Sequence, residues 1–335
     1  RIPVTISTGI IRIATQIKKT PILKFIPNKE LPVYHKDVDL FEVYDADNKF
    51  MGLLYTDFFP RKSKRQGAWM TEFKGQYYNA DGTDSRPLIS LVMNFTPPTG
   101  NSPALLTFDE VKTFLHEFGH ALHGLLSDVP YESLSGTNVY RDFVELPSQL
   151  MENFASLPEF LNKTAIHYET GEVIPAELVN KLKASEQYLA AYSCIRQLSF
   201  GYLDMAWHGI NEKFDGNVIE FEKNAWKKTQ LFPSIDGCCM STHFTHLFAG
   251  GYAAGYYGYK WAEVLDADAF SVFQEAGGIN AEVASRFREN ILSKGGTEHP
   301  MTLYIKFRGC KPQTDALLKR DGVNTKDFNK KSDFL

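Results

Sequence analysis

The 335-residue sequence has few cysteines, no long apolar run and no excess of basic charge, and each absence excludes a class of protein. Four cysteines without a C-x-x-C pair exclude a disulfide framework and a cysteine zinc site. The longest uncharged stretch, residues 237–259, contains five glycines and two histidines, so it does not predict a membrane-spanning helix. A net charge of −4 gives no general attraction to nucleic acid or to an anionic membrane. We therefore expect a folded protein that binds neither.

The first residues also lack the pattern of a secretory signal peptide. Arg1 is followed by β-branched residues and then by the polar run 16–19. Because the chain does not begin with Met, an earlier leader is compatible with the sequence. We expect a cytoplasmic protein, with the periplasm as the alternative if a leader was removed.

The composition is that of a folded protein, with 43% hydrophobic and 23% charged residues. Short strand-like runs alternate with turn signals up to about residue 100, and residues 88–95 form the strongest run. We predict a mainly α protein with a small β-sheet, in one catalytic domain over 1–335 that is irregular and strand-rich over 1–100 and mostly helical over 101–335. Helical apolar spacing follows the first helix at residues 178–210, 217–230, 252–274, 280–293 and 313–320.

Residues 107–126 predict an amphipathic helix that begins with a capping box and contains the motif H-E-x-x-H. His116 and His120 are four residues apart on one helical face, so both imidazoles can share one cation. Zinc accepts such nitrogen ligands and keeps an open position in catalytic sites. Glu117, beside the first ligand, is placed to take a proton from water. Two core histidines with an exposed glutamate are the less favoured interpretation.

A third ligand must come from outside this helix. The continuation H-x-x-G-x-x-H fails, because positions 123 and 126 are His and Leu. In another class of zinc proteases a glutamate arrives from the next helix, and we predict Glu145, because residues 142–149 resemble a helix start. The other candidates are Glu132, Glu152 and Glu159.

The surroundings of these ligands predict a supporting shell. Gln149 and Glu152 follow Glu145 at i+4 and i+7, and one of them is expected to hold the second nitrogen of a ligand histidine. A solvated or paired Glu152 is the alternative. We interpret His123, which lies on the face of His116, as an outer neighbour of the site or as a packing residue.

A second unusual stretch runs from His243 to Tyr259. Gly250 and Gly251 allow a close approach of the backbone to a ligand or another segment. Tyr252, Tyr256 and Tyr259 follow at i, i+4 and i+7, so a helix would place their hydroxyls on one face. Such groups can stabilise an oxyanion, although an aromatic stripe is more often part of a core.

Four segments together resemble the thimet oligopeptidase family of zinc metallopeptidases, and most closely its bacterial peptidyl-dipeptidase (dipeptidyl carboxypeptidase) branch. The details Ser135–Asn138 and Arg141–Phe143 favour that branch over the oligopeptidase A branch. The four segments are HEFGHALHGLL at 116–126, LSGTNVYRDFVELPSQLMEN at 134–153, HLFAGGYAAGYYGYKWAEVLDADAF at 246–270 and GGTEHPMTLYIKFRG at 295–309.

The resemblance implies a gluzincin-type catalytic domain that forms one side of a two-lobed channel. Family members are about twice as long, and their helical N-terminal half, which supplies one wall of the channel, has no counterpart here; that half is an expected partner. The implied roles are one Zn²⁺ ion on His116, His120 and Glu145, general-base catalysis by Glu117, catalytic contacts from His246, Tyr252 and Tyr259, and substrate contacts from Gly136, Asn138 and Tyr256.

These expectations converge on zinc-dependent hydrolysis of short peptides, with release of C-terminal dipeptides. An oligopeptidase A-like endopeptidase that cuts internal bonds is one alternative. A peptide-binding protein with a purely structural zinc is the alternative from another class, and Glu117 argues against it because a structural site needs no base.

Overall fold

A computed structural model describes residues 2–3, 23–100 and 102–323 of the chain. The sequence positions on which the absence of a signal peptide was argued, Arg1 and 16–19, lie outside these residues. The strands are β1 (Ile2–Pro3), β2 (Leu23–Asn28), β3 (Asp39–Asp45), β4 (Phe50–Asp57), β5 (Trp69–Lys74), β6 (Tyr77–Tyr78), β7 (Asp84–Ser85), β8 (Leu88–Val92) and β9 (Leu105–Leu106).

Five of these strands form one mixed sheet in the order β2-β3-β4-β8-β5. Strands β4 and β8 are parallel, and the other neighbours are antiparallel. The inward side chains of the central strands are fully buried, including Leu54, Ile89 and Leu91 at 0% exposure. The predicted strand over 88–95 is present, but its ladder ends at Val92, ahead of Pro97 and Pro98.

The rest of the described chain is mostly helical. The helices are α1 (Phe108–Leu125), α2 (Leu146–Glu152), α3 (Pro158–Thr164), α4 (Ala176–Gln187), α5 (Ala190–His208), α6 (Val218–Ala225), α7 (Met240–His243), α8 (Tyr257–Glu275), α9 (Ala281–Phe287), α10 (Pro300–Arg308) and α11 (Asp315–Arg320). The prediction of a mainly α fold with a small sheet is confirmed.

Helix α1 connects the sheet to the helical part. Thr107 and Glu110 form the predicted capping box, in which each side chain accepts a hydrogen bond from the other residue's backbone N–H. The apolar face of α1 packs on the sheet. Between ring centroids, Phe118 lies 5.9 Å from Phe25 of β2, and Phe114 lies 6.0 Å from Phe58, which directly follows β4. His116 and His120 of the motif face Glu145, ahead of α2, whereas Glu117 lies against the backbone of Met70 in β5.

Three predicted helices differ from the observed ones for local reasons. The pattern over 178–210 is two helices, because Leu189 takes a left-handed φ of +58° between them. The pattern over 252–274 begins only at Tyr257, since positive φ angles at Gly250, Gly251 and Ala254 keep the preceding chain in turns. The pattern over 280–293 closes with one π-helical turn after α9.

A polar cluster joins α11 to the middle of α8 and to the end of α2. Arg320 of α11 donates to Asp266 of α8 at 2.6 Å and to Asn153, which follows α2, at 3.1 Å. Burial raises the pKa of Asp266 to about 7, against the opposing effect of the guanidinium. Within the described residues, no helix is both long and apolar enough to cross a membrane.

Candidate active site and metal centre

The H-E-x-x-H motif lies in the middle of α1, and a glycine within it brings the next helix close. A Cβ atom at Gly119 would lie 2.4 Å from the carbonyl oxygen of Pro147, so only glycine permits this approach of α2. Glu145 is the residue that immediately precedes α2, with Pro147 in its first turn. The close crossing of α1 and α2 therefore delivers the Glu145 carboxylate to the two histidines.

His116, His120 and Glu145 form a compact group, which we call the metal corner. The Nε2 atoms of His116 and His120 each lie 3.2 Å from Oε2 of Glu145, and the three ligand atoms lie within 4.8 Å of one another. Ligand atoms bound at ~2.0–2.2 Å to a tetrahedral zinc ion lie ~3.3–3.6 Å apart. The donor set and its spacing fit a zinc ion with three protein ligands. This group could hold a metal, as the family resemblance implies.

Charges within the metal corner also favour a cation. Glu145 is 1% exposed, and burial alone would raise the pKa of its carboxyl, but the two imidazoles hold that pKa well below the usual range. For His116, burial disfavours the imidazolium, yet hydrogen bonds to Glu145 and Glu152 raise its pKa to about 10. A buried carboxylate is stabilised by a nearby positive charge. A divalent ion can supply that charge in place of the proton on an imidazole.

Outer contacts orient two of the three candidate ligands. Nδ1 of His116 lies 2.7 Å from Glu152, which also approaches Lys112 at 3.6 Å. The structure thus gives the supporting role to Glu152, whereas Gln149 donates to the backbone oxygen of Tyr259 at 3.2 Å. Ser148 Oγ donates to Oε2 of Glu145 at 2.8 Å. Sequence reasoning missed Ser148, although its position three residues after Glu145 is a signal for this contact.

The remaining glutamate candidates serve other loops. Glu132 accepts a hydrogen bond from the Gly75 N–H at 2.9 Å, and Glu159 accepts one from the Ile279 N–H at 2.6 Å. His123 is fully buried, and neither of its ring nitrogens has a hydrogen-bond partner. Its role is packing within α1 rather than the orientation of a ligand.

Glu117 lies beside the metal corner in a largely buried position. It is 7% exposed, and its carboxylate lies beside the backbone of Met70 in β5. Burial raises the pKa of Glu117, and the neighbouring imidazoles only partly oppose this. A carboxylate with a raised pKa can both take up and release a proton near neutral pH.

The second predicted stretch forms an aromatic segment, residues 243–259, that closes over the metal corner. The rings of Tyr252 and Tyr259 stack at 4.9 Å between centroids, and the His246 ring lies 5.6 Å from Tyr252 and 6.2 Å from Tyr259. The prediction that Tyr252, Tyr256 and Tyr259 share a helical face was wrong, since Tyr252 precedes α8 in a turn. The turn nevertheless brings these side chains together.

The Tyr252 hydroxyl links the aromatic segment to the metal corner. It donates to Oε1 of Glu145 at 2.6 Å, while the Tyr259 ring stacks on the Tyr252 ring. Burial and the Glu145 charge raise the pKa of both phenols, so both remain protonated donors. Arg141, for which the sequence predicted no role in the site, stacks its guanidinium 5.0 Å from the centre of the Tyr252 ring.

A cavity of about 1050 Å³ opens in front of these groups. His116, His246, Tyr256 and Tyr259 line it, together with the cluster of Asp266 and Arg320. The Tyr256 hydroxyl donates to Gln197 at 2.9 Å, and burial raises the pKa of Tyr256 to about 12. The cavity is therefore walled by hydrogen-bonding groups as well as by aromatic rings.

Gly136 and Asn138 are predicted site residues that belong neither to the metal corner, nor to the aromatic segment, nor to this cavity lining. Gly136 is buried with φ +53°, and a Cβ there would meet Oε1 of Glu72 at 2.1 Å. Asn138 is exposed and donates to the Glu132 carbonyl at 3.3 Å. Their contact with a substrate stays a prediction.

Comparison with known proteins identifies the family. Residues 4–323 match the model of Peptidase family M3. The chain is 46% identical over 297 residues to oligopeptidase A of Escherichia coli and 40% identical over 304 residues to dipeptidyl carboxypeptidase of Salmonella typhimurium. These matches cover 88% and 90% of this chain but 44% of each relative, so the chain spans less than half of their length.

A solved structure gives the same fold. The structure titled "PZ peptidase A with inhibitor 2" matches 80% of this chain and 42% of its own, with a TM-score of 0.50 and 18% sequence identity. Oligopeptidase A and dipeptidyl carboxypeptidase, which represent the two predicted branches, both align with this chain, and the sequence identity is higher for oligopeptidase A. The predicted family is confirmed: the chain belongs to Peptidase family M3, the thimet oligopeptidase family of metallopeptidases.

Proposed function

We propose that this chain carries the catalytic centre of a zinc-dependent peptidase acting on short peptides. The observation that carries the proposal is the metal corner, in which two imidazoles and a buried carboxylate converge beside Glu117 and in front of a cavity. Zinc is favoured over a hard divalent cation, because nitrogen and carboxylate donors in a three-ligand set suit it.

The residues divide into a holding group and a reacting group. His116, His120 and Glu145 would hold one zinc ion per chain, which when bound polarises a carbonyl and lowers the pKa of water. Glu117 would accept the proton of the attacking water and return it to the leaving amine, a use that its raised pKa supports.

The developing oxyanion would be stabilised by donors of the aromatic segment. Tyr259 is the best placed, because it lines the cavity, whereas the Tyr252 proton points to Glu145. His246 lines the same cavity and is a further donor. Tyr256, which lines the cavity, and Gly136 and Asn138 remain proposed substrate contacts.

For the substrate class we propose release of C-terminal dipeptides, on the resemblance of residues 134–143 to the peptidyl-dipeptidase branch. A second candidate is the cleavage of internal bonds, which the higher identity to oligopeptidase A favours. Mass spectrometry of the products distinguishes them: successive loss of two residues from the C-terminus supports the first, and internal fragments support the second.

The cell compartment and the partner are also proposals. All four cysteines are free, which supports a reducing, cytoplasmic environment. Relatives have a further portion that this chain does not span, and we propose that portion of the family fold as a partner in forming the full channel.

Glu117→Gln tests the proposed chemistry. Loss of the base should lower kcat by ~10²–10⁴-fold, with an unchanged zinc content. Glu282→Gln, exposed on α9, serves as the control and should retain full activity. Hydrolysis that persists in zinc-loaded Glu117→Gln would refute the assignment of the base. A different result would be that the native sequence and Glu117→Gln both bind zinc and neither hydrolyses peptides, whether each is assayed alone or together with the remaining portion of the fold. That result would support the peptide-binding alternative.

A further inference from the structure

Helix α5 carries an apolar face that the described part of the chain leaves uncovered. Of its 19 residues, only Phe200, Leu203 and Asp204 are buried. Tyr188 just ahead of it is 77% exposed, and Met205 near its end is 52% exposed. We call the following set on this helix the α5 stripe: Ala191, Ile195, Leu198, Tyr202 and Met205.

The spacing of the α5 stripe is typical of a helix that packs along another helix. Successive members are 4, 3, 4 and 3 residues apart, which is the a/d repeat of a heptad. From residue 191 to residue 205 the stripe runs for ~21 Å along the helix. A strand or an irregular loop would not match this repeat over about four turns, so the geometry favours a helical occupant.

The chain after α6 extends the same apolar surface. Leu231, Phe232 and Ile235 are 54%, 67% and 75% exposed, and the Phe232 ring lies 5.8 Å from that of Tyr192 on α5. Large hydrophobic side chains gathered in this way on a soluble domain mark a contact surface.

The flanks of the stripe indicate a permanent contact rather than a reversible one. Partner choice in reversible helix pairs is set by charged residues beside the apolar repeat, whereas permanent interfaces are largely apolar. The flanking positions here are all uncharged apart from a terminal histidine. They are Tyr192, Ser199 and Ala206 on one side and Cys194, Gly201 and His208 on the other.

We propose that the α5 stripe seats a helix from the part of the M3 fold that this chain does not span. The chain covers only 44% of oligopeptidase A although 88% of the chain is matched, so more than half of that relative has no counterpart here. A face left bare by the shared portion is where the unshared portion can pack. This inference does not depend on the proposed hydrolytic activity.

The contact would reach the candidate site through the inner face of α5. Asp204 accepts hydrogen bonds from the N–H groups of Ala254 and Tyr256, both at 2.9 Å, and Gln197 accepts one from the Tyr256 hydroxyl. A helix seated on the outer face would therefore also steady the turn that carries the aromatic segment.

Co-expression tests this surface. This chain, with an affinity tag, is produced together with the portion of E. coli oligopeptidase A that it does not match. We expect a one-to-one complex on purification and at least a tenfold slowing of amide hydrogen exchange within residues 190–208. Leu198→Glu and the milder Leu198→Ser should abolish the complex, with unchanged circular dichroism. Leu178→Glu, at a leucine of similar exposure on α4 (47% against 42%), should retain it.

Three results would overturn the proposal. The first is equal recovery of the complex with Leu198→Glu and Leu178→Glu. The second is the absence of a complex when the same portion still captures the matched part of oligopeptidase A itself. The third is slow amide hydrogen exchange in residues 190–208 when this chain is measured alone. Such protection would mean that the α5 stripe is covered by a second copy, in a dimer that Leu198→Glu dissociates, or by other residues of the same chain. Since no readout is enzymatic, failure here is distinct from failure of the proposed function.

Discussion

The metal corner and the aromatic segment face the same cavity, but they are built by different means. The metal corner lies on α1 and at the start of α2, which pack against the main core and cross closely at Gly119. The aromatic segment lies on turns with three left-handed residues, and α5 rather than the core holds it. The comparison teaches that metal binding depends on the crossing of two helices, whereas donor placement depends on a turn held by hydrogen bonds to α5.

The largest expected effect is the loss of zinc binding when a ligand of the metal corner is removed. Glu145→Ala removes one of three candidate ligands and leaves two imidazoles, so zinc affinity should fall by more than the ~10–100-fold typical of an outer contact. Elemental analysis after dialysis measures the zinc content, and hydrolysis should be lost with it. Glu159→Ala, which removes a carboxylate from the neighbouring α3, should keep its zinc. Undiminished zinc in Glu145→Ala would reassign the third ligand.

The next effect tests whether the aromatic segment acts on catalysis without acting on the metal. Tyr259→Phe should lower kcat by ~10²–10³-fold with unchanged zinc affinity, because it removes an oxyanion donor that does not touch Glu145. Tyr252→Phe is the matched comparison: it removes the 2.6 Å hydrogen bond to Glu145, so zinc affinity should also fall, by ~10-fold or more. Equal zinc affinities in the two variants would break the proposed division between the regions.

Short-range rules locate the parts of the metal corner, although the choice of Glu145 as third ligand also followed the pattern of a known class of zinc proteases. The capping box fixes where α1 begins, the four-residue spacing places His116 and His120 on one face, and Pro147 locates the start of α2 within one turn. Each of these features depends on residues fewer than ten positions apart. The crossing of α1 and α2 was not predictable in detail, although Gly119 carries the signal for it.

The aromatic segment shows where sequence reasoning reached its limit. The i, i+4, i+7 spacing suggested a helix from residue 252, but the glycine-rich turn delays α8 to Tyr257. The bond from Tyr252 to Glu145 joins residues 107 positions apart and follows only from tertiary packing. Helix α5 makes the same point, since its apolar repeat predicts a helix but cannot say whether the face is covered.

The smallest effect concerns His123, which lies on the same helix as the ligands but belongs to neither region. Burial without a hydrogen-bond partner lowers its pKa to about 3, so in the native state it stays neutral where the unfolded chain takes up a proton. Its folded pKa lies below the unfolded value of ~6.5, and native stability is therefore lost as the pH falls from about 7 toward 3. At pH 5 this loss amounts to ~2 kcal/mol relative to pH 8.

His123→Leu should remove this part of the acid sensitivity. Urea unfolding at pH 5 and pH 8, with EDTA throughout so that metal release does not contribute, should show a pH difference ~2 kcal/mol smaller than in the native sequence. His123→Gln should lose the same pH dependence, yet be less stable than His123→Leu at pH 8 because its amide remains buried. Parallel pH dependences in all three proteins would mean that His123 finds a partner, and the packing role assigned to it within α1 would have to be abandoned.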